Sequence, residues 1–115
     1  MTESPTYSGA IAVFSSREAQ IIDVDMDMAG PDMDILEYNM KKYRPRLIYT
    51  IPSFHNPTGF SYPMYKRKQL LDLAKKYNLY IIEDDYVSEL DYDNRSYKPL
   101  KSMDNGSRVV FIKSF

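Results

Sequence analysis

Three adjacent acidic residues, Glu83, Asp84 and Asp85, stand at the end of an apolar run that is typical of a buried strand. Neighbouring carboxylates repel one another unless a positive group is near, so one of them could bind a metal ion or a protonated ligand nitrogen. Successive side chains of a strand point to opposite faces, which separates these acids and disfavours the paired carboxylates of a glycosidase. Two alternatives stay open. One is a solvated strand end with an acid capping the next turn, and the other is a Mg²⁺ site built from Asp84 and Asp85, although the chain has no phosphate-cradling glycine-rich loop.

A second polar cluster occurs in IPSFHNPTGF, residues 51–60, directly after another apolar run. A plain turn requires only the proline and the glycine. The additional polar side chains of His55, Asn56 and Thr58 therefore indicate that something is held at this loop.

Hydrophobic patterning predicts the elements that carry both clusters. The predicted strands cover residues 19–26, 46–51, 79–84 and 108–115, the predicted helices cover 8–16, 31–43 and 63–77, and 94–107 is a loop. Asp32 can cap the second helix, whose apolar face carries Leu36, Met40 and Tyr43. This alternation predicts an α/β fold with three layers, α/β/α, around a mostly parallel sheet. Because parallel strands end at one edge, we expect segments 52–59 and 83–89 to lie together there, where such sheets bind ligands.

The helix over 63–77 carries five basic residues. Its positive side chains are Lys66, Arg67, Lys68, Lys75 and Lys76. Asp72 and the acidic segments balance them, and we expect an ordinary solvated helix face rather than a nucleic-acid surface.

Composition limits the classes of protein that remain. The chain has 115 residues, 43% hydrophobic and 27% charged, with a net charge of −1, which predicts one globular domain over residues 1–115 without a nucleic-acid surface. It has no cysteine and one histidine, which excludes disulfides and thiolate metal sites and disfavours a histidine metal site. Without a signal peptide or an apolar run of ~20 residues, we expect a cytoplasmic protein that does not enter a membrane.

Three motifs in order carry a family resemblance: PTYSGA at 5–10, HNPTG at 55–59 and EDDYVSEL at 83–90. Together they resemble the large domain of pyridoxal-phosphate (PLP) dependent aminotransferases of class I/II, fold type I. The chain looks most like the aminotransferase-like domain of GntR/MocR-family transcriptional regulators and like the related 2-aminoadipate transaminases. The resemblance covers essentially the whole chain. EDDYVSEL favours the regulators, whereas HNPTG is common to both groups.

The resemblance implies a role in cofactor binding for five residues. Asp84 matches the carboxylate that keeps the ring nitrogen of PLP protonated, which makes the cofactor an effective electron sink. Asn56 matches the amide that binds the phenolic oxygen of the ring, and Tyr7 matches the aromatic side chain that stacks on the ring. Tyr86 matches a tyrosine near the same oxygen, although some relatives place it three residues after the aspartate rather than two. Ser114 would contact the phosphate.

The remaining residues of the motifs are predicted to be structural. His55 is expected either to be a loop residue or to support the residues that contact the cofactor, while Thr58 and Gly59 shape the loop. Glu83 and Asp85 are expected to be structural rather than catalytic. The Asn56–Pro57 bond can be cis or trans, and the sequence leaves this open.

The family's Schiff-base lysine follows a serine in the motif S-x-[S/A]-K, so it would fall two residues beyond Phe115; Lys113 precedes Ser114 and does not match it. The glycine-rich phosphate loop and the small domain would also lie outside these 115 residues. We therefore expect a central fragment of the large domain that has no catalytic residue of its own, no transaminase turnover and at most weak, non-covalent cofactor binding.

Whether the parent protein is an enzyme stays open at this point. A GntR/MocR-type regulator is the first interpretation, with an amino-acid or amine effector, a homodimeric state, and DNA bound only through a separate N-terminal domain. An aminotransferase that acts on an amino acid such as 2-aminoadipate is the second. A stand-alone Rossmann-like domain with a metal at the acidic cluster is the third.

Overall fold

A computed structural model describes residues 1–86 and 98–113 of the chain. The strands are β1 (Thr2–Ser4), β2 (Asp23–Asp27), β3 (Gly30–Pro31), β4 (Leu47–Thr50), β5 (Tyr80–Asp85) and β6 (Val109–Lys113). The helices are α1 (Ser8–Ser16), α2 (Met33–Tyr43), α3 (Met64–Lys76) and α4 (Leu100–Met103). None of these helices is long and apolar enough to cross a membrane.

All of these strands belong to one sheet in the order β3-β2-β1-β4-β5-β6. Every neighbouring pair is parallel except β2 and β3, which form an antiparallel hairpin. The α/β fold with a mostly parallel sheet is therefore confirmed. In the register of β4 and β5, Thr50 lies opposite Glu83, so the segments that follow these strands start at the same edge.

Helices cover both faces of the sheet, which gives the expected three layers. Ile48, Ile81 and Val109 share one face, and they belong to a single core cluster with buried residues of α2, α3 and α4. On the opposite face, the ring of Phe14 in α1 packs edge-on against Tyr49, with the ring centroids 5.8 Å apart. The face beneath α1 is the more open one, because Val110 and Ile112 of β6 remain 52% and 44% exposed.

The boundaries of α2 follow from its sequence. The Asp32 side chain accepts hydrogen bonds from the backbone N–H groups of Asp34 and Ile35 at 3.0 and 3.1 Å, as expected of an N-cap. At the other end Arg44 adopts a left-handed conformation with φ 48°. Leu36 and Met40 are fully buried, and replacing either with alanine should cost about 2–5 kcal/mol of stability.

The centre of the sheet differs from the prediction. Residues Thr2–Ser4 form β1, which lies between β2 and β4, whereas the sequence had indicated no strand there. Three residues with polar side chains carry no strand pattern, and pairing on both sides is what holds them extended. β2 begins at Asp23 rather than at residue 19, because its pairing with β1 starts where Thr2 lies opposite Asp23.

Two further short elements were also not predicted. Residues Gly30–Pro31 form β3, and Gly30 has φ +108° with the Tyr62 ring 2.7 Å from where a Cβ would lie, so the hairpin requires glycine. Within the predicted loop 94–107, residues Leu100–Met103 form α4, while residues 94–97 lie outside the described part of the chain.

The prediction of a solvated basic face on α3 was wrong for two of its five residues. Lys66 and Arg67 are only 6% and 0% exposed. Lys66 donates to the carbonyl of Pro31 at 2.9 Å and to Asp27 at 3.3 Å. Arg67 donates to the carbonyls of Pro52 and Tyr62. Long basic side chains can bury their stems when their charged ends find acceptors. The remaining three, as predicted, are exposed: Lys68, Lys75 and Lys76.

Candidate functional site

The acidic cluster at the end of β5 divides between the two faces of the sheet. Glu83 and Asp85 are buried on the core face, with 1% and 5% exposure. Asp84 is half-buried on the opposite face. The expectation that neighbouring acids of a strand separate is thus confirmed, and among the described residues there is no group of three or more possible metal-ligating side chains.

Glu83 has a structural partner. Its carboxylate accepts hydrogen bonds from the backbone N–H groups of Leu100 and Lys101 at 2.8 and 2.9 Å, which are the first two residues of α4. Burial raises the pKa of Glu83, and these two hydrogen bonds partly oppose the shift. Glu83 therefore attaches α4 to the sheet, as the structural interpretation of this residue had predicted.

Asp84 opens into a groove of about 400 Å³ between α1 and the sheet. We call this the Asp84 groove, and its walls include Tyr7, Phe14, Tyr49, Ile82, Asp84 and Ile112. Most of this lining is aromatic or aliphatic, so the carboxylate of Asp84 is the group that gives the groove a negative charge.

Tyr49 holds the Asp84 carboxylate. Its hydroxyl donates a hydrogen bond to Oδ2 of Asp84. Burial and the adjacent Asp84 carboxylate raise the pKa of Tyr49, so the phenol stays protonated as a donor. Tyr49 was not among the predicted site residues. The strand register explains its place: Tyr49 pairs with Ile82 and therefore lies on the same face as Asp84 two residues later. This register is set by tertiary pairing, and the local sequence carries no signal for it.

Tyr7 lies in the same groove. It occupies the N-cap position of α1, and its side chain remains 47% exposed. A Cβ at Gly9 would lie 2.5 Å from atoms of the Tyr7 ring. The ring thus rests over a glycine, and the glycine of the motif PTYSGA makes room for it.

Asn56 and Tyr86 lie in neighbouring segments rather than in the lining of the groove. Asn56 is half-buried in the loop that follows β4, and its bond to Pro57 is cis. The Tyr86 hydroxyl donates to the carbonyl of Phe54 at 2.9 Å, which joins the end of β5 to the Asn56 loop. The expected meeting of the two polar segments is observed at this contact, and Ser114 lies outside the described residues.

A buried polar network supports the Asn56 loop, and the sequence had not indicated it. His55, which is 1% exposed, lies 3.0 Å through Nε2 from Oε2 of Glu3 and 2.9 Å through Nδ1 from the Thr58 hydroxyl. Glu3 is equally buried, with 2% exposure. Glu3 was missed because β1 was missed, and the only signal was an acid two residues before the motif PTYSGA. Thr58 contributes to the shape of the loop as predicted.

Taken together, a parallel sheet and an apolar groove with a carboxylate at the carboxyl ends of the strands define an α/β domain suited to a flat, cationic ligand. The family Aminotransferase class I and II matches residues 1–115. The chain belongs to this family.

Known relatives include both regulators and enzymes. The uncharacterized HTH-type transcriptional regulator YisV of Bacillus subtilis is 36% identical over 115 residues, which is 100% of this chain and 24% of that protein. The 2-aminoadipate transaminase of Thermus thermophilus is 42% identical over 90 residues, which is 78% of this chain and 23% of that protein. The chain spans about a quarter of the length of these curated relatives.

A solved structure shares the fold closely. LysN, the α-aminoadipate aminotransferase of Thermus thermophilus, complexed with N-(5'-phosphopyridoxyl)-L-leucine, matches with a TM-score of 0.93 and 36% identity, over 99% of this chain and 30% of that chain. PLP is the cofactor of this family.

The residues present fit such a cofactor. A pyridine ring needs two apolar or aromatic surfaces and, when protonated, an anionic partner for its nitrogen. The Asp84 groove supplies aromatic and aliphatic walls together with one carboxylate.

Proposed function

We propose that this chain is part of a PLP-binding domain, in which the groove between α1 and the sheet holds the cofactor ring. The observation that carries the proposal is the Asp84 carboxylate, which opens into a largely apolar groove beside the Tyr7 ring. In this proposal Asp84 binds the protonated ring nitrogen, and Tyr7 packs against the face of the ring. Such stacking contributes about 0.5–1.5 kcal/mol beyond the burial of the ring.

The surroundings of Asp84 suit that task. Apolar walls lower the local dielectric constant, which strengthens the attraction between a carboxylate and a cationic nitrogen. Tyr49 donates to Oδ2 of Asp84, which restricts the rotation of the carboxylate. Bound PLP supplies an electron sink, and a ring nitrogen that stays protonated maintains it.

Asn56 and Tyr86 are proposed to bind the phenolic oxygen from the rim of the groove. The support is the hydrogen bond from Tyr86 to the carbonyl of Phe54, because it keeps the end of β5 and the loop with Asn56 next to each other. Ser114 is proposed to contact the phosphate, on the strength of the family motif alone.

The intact protein is proposed to be a GntR/MocR-type transcriptional regulator that binds an amino acid or amine as effector and acts as a homodimer. Support comes from the similarity to the regulator YisV over 100% of the chain and from the segment EDDYVSEL. The second candidate is an aminotransferase for an amino acid such as 2-aminoadipate, which the 42% identity to the transaminase of Thermus thermophilus favours.

Cofactor binding is tested by equilibrium dialysis of PLP against the intact protein that contains this chain. Asp84→Asn removes a charge-assisted hydrogen bond, and we expect the Kd to rise about 10- to 100-fold. Asp85→Asn is the matched control, since it makes the same change one residue later on the opposite face. Equal effects of the two substitutions would refute the proposed role of Asp84.

Two assays on the intact protein separate the candidate functions. A regulator should bind a DNA fragment from upstream of its own gene, with an affinity that changes when an amino compound is added. An aminotransferase should transfer the amino group of 2-aminoadipate to a 2-oxo acid with a kcat of about 1 s⁻¹ or more. Turnover at that rate without DNA binding would reject the regulator in favour of the enzyme.

A further inference from the structure

Glu3, at the centre of the sheet, has an unusually complete set of hydrogen-bond donors. Its Oε1 accepts from the Thr50 hydroxyl at 2.5 Å, from the Ile51 backbone N–H at 3.0 Å and from the Tyr62 hydroxyl. These three residues lie at the end of β4 and on the far side of the loop that follows it. A single carboxylate of β1 thus binds both ends of the segment that carries Asn56.

The other oxygen of Glu3 reaches the tip of that loop through His55. Oε2 lies 3.0 Å from Nε2 of His55, so the ring donates its Nε2–H to the carboxylate. Nδ1 of the same ring lies 2.9 Å from the Thr58 hydroxyl. Because His55 directly precedes Asn56, the orientation of the imidazole and that of the Asn56 backbone are linked.

Backbone hydrogen bonds close the loop around this imidazole. The N–H of His55 donates to the carbonyl of Phe60 at 2.8 Å, and the N–H of Gly59 donates to the carbonyl of His55 at 2.6 Å. At the base of the loop, Arg67 donates to the carbonyls of Pro52 and Tyr62 at 2.6 and 2.9 Å. Arg67 and Oε1 of Glu3 therefore hold the base of the loop, whereas His55, bound to Oε2 of Glu3, holds its tip.

The same carboxylate also contacts the segment that leads to Tyr7. The Thr6 hydroxyl donates to Oε2 of Glu3 at 3.3 Å. Glu3 thus lies between the two segments that bring Tyr7 and Asn56 to the cofactor site. Hydrogen bonds to a carboxylate are directional, whereas apolar packing is not, so the bonds that Glu3 accepts from Thr50, Ile51 and His55 can set an orientation that the hydrophobic core cannot.

We propose that Glu3 and His55 are positioning residues, which hold the Asn56 loop and the Tyr7 segment at a fixed distance so that Asn56 can bind the cofactor ring. The inference rests on the proposed function of the groove, and it adds two residues that act through Asn56 without touching the ligand. Of the two roles that the sequence left open for His55, this is the supporting one.

The first test needs no cofactor. Hydrogen exchange is measured by mass spectrometry on the intact protein without cofactor. The readout is the exchange rate of the backbone amides in the peptide that spans residues 52–62. His55→Leu should accelerate exchange in this peptide about tenfold or more, because it removes both imidazole hydrogen bonds. His55→Gln, whose amide can still donate to Glu3, should restore part of the protection. Lys66→Met is the matched control, since it removes a buried cation that binds Asp27 and Pro31 instead of the loop.

The second test is a double-mutant cycle on the Kd for PLP. His55→Leu should misplace Asn56 and thereby raise the Kd about tenfold, and His55→Gln should raise it less. In the Asn56→Ala background the same His55→Leu substitution should change the Kd by no more than about twofold, since the residue through which it acts is gone. A merely structural role would instead give independent, multiplicative penalties.

The outcomes separate this inference from the proposed function. If the wild-type protein binds no PLP, both fall. If the wild type binds PLP and Asp84→Asn weakens binding, but His55→Leu leaves either the loop exchange or the Kd unchanged, the positioning role alone is rejected. Multiplicative penalties in the cycle reject it as well. Accelerated exchange together with a penalty that disappears in Asn56→Ala supports both.

Discussion

Glu3 and Asp84 both lie near the carboxyl ends of parallel strands, but their carboxylates have opposite environments. Glu3 is 2% exposed and accepts hydrogen bonds from side chains or backbone of five described residues: Thr6, Thr50, Ile51, His55 and Tyr62. Asp84 is half-buried, accepts the hydroxyl of Tyr49 and faces a groove. Burying a carboxylate is costly unless donors compensate it.

The difference teaches how to assign a role to each acid. The protein itself stabilises the charge of Glu3, and this carboxylate is used to organise the chain. The charge of Asp84 faces a groove that a ligand can enter, so a cationic ligand can supply the stabilisation that the protein does not. Substitutions should therefore affect stability most at Glu3 and ligand affinity most at Asp84.

The largest effect is expected for Glu3→Ala. It leaves several buried donors without an acceptor, each at a cost of about 1–3 kcal/mol, so the free energy of unfolding should fall by at least about 3 kcal/mol. Asp84→Ala should cost only about 1 kcal/mol, mainly through the lost partner of Tyr49. Urea unfolding followed by circular dichroism measures both, and similar losses would contradict the comparison.

The free energy of unfolding is expected to depend on pH through the tyrosines that lie beside Glu3 and Asp84. Burial raises the pKa of Tyr62 beside Glu3 and of Tyr49 beside Asp84 above the ordinary value of 10.0. These phenols stay protonated in the folded chain and ionise in the unfolded chain, so the stabilisation is complete below about pH 10 and is lost as the pH rises above it.

Urea unfolding at a series of alkaline pH values checks this dependence. Tyr62→Phe and Tyr49→Phe should each reduce the slope of the free energy of unfolding against pH above about pH 10. Tyr65→Phe changes an exposed ring and serves as the control. An unchanged slope in both test variants would contradict the burial argument.

A smaller effect is expected for Tyr49→Phe on cofactor binding. The substitution keeps the ring that packs against Phe14 but removes the donor that holds Asp84. A hydrogen bond to a charged carboxylate is worth about 1.5–3 kcal/mol, and only part of this should be lost from ligand binding because Asp84 itself remains. The Kd for PLP should rise about three- to tenfold in equilibrium dialysis. A Kd within experimental error of the wild type would show that Tyr49 does not orient Asp84.

The smallest effect is expected for Gly9→Ala, where the affinity for PLP should fall although the stability does not. Alanine favours a helix over glycine by about 0.5–1 kcal/mol, so stability should be unchanged or slightly higher. The new methyl group must displace the Tyr7 ring, so the affinity for PLP should fall a few-fold. Thermal unfolding and dialysis together test this, and lower stability with unchanged affinity would contradict the placement of Tyr7 in the binding site.

The predictable part of the fold consists of its long, periodic elements. α2 and α3 begin and end within two residues of their predicted limits, and β4 and β5 within one. Asp32 could be recognised as a cap because capping is a local interaction. β1, β3 and α4 have three, two and four residues, which is too short for a periodic signal, and neighbouring elements stabilise them.

The site was predictable to a similar degree. The motifs selected Tyr7 and Asp84, which line the same groove, and Asn56 and Tyr86, whose segments are joined by the hydrogen bond to Phe54. Tyr49, Glu3 and the buried Arg67 were missed as contributors. Tyr49 and its partner Asp84 are 35 residues apart along the chain. Glu3 and His55 are 52 residues apart, and Arg67 and Pro52 are 15 apart. Nothing in the local sequence reports such pairings.

The sequence by itself determined the alternation of strands and helices, the family, and the acid at the end of β5, because periodicity, caps and ordered motifs are local properties of the chain. Only the tertiary structure decided which acid faces the groove and which is enclosed by donors. That choice depends on the strand register and on the insertion of β1 into the sheet, and both are set by contacts between residues far apart in the chain.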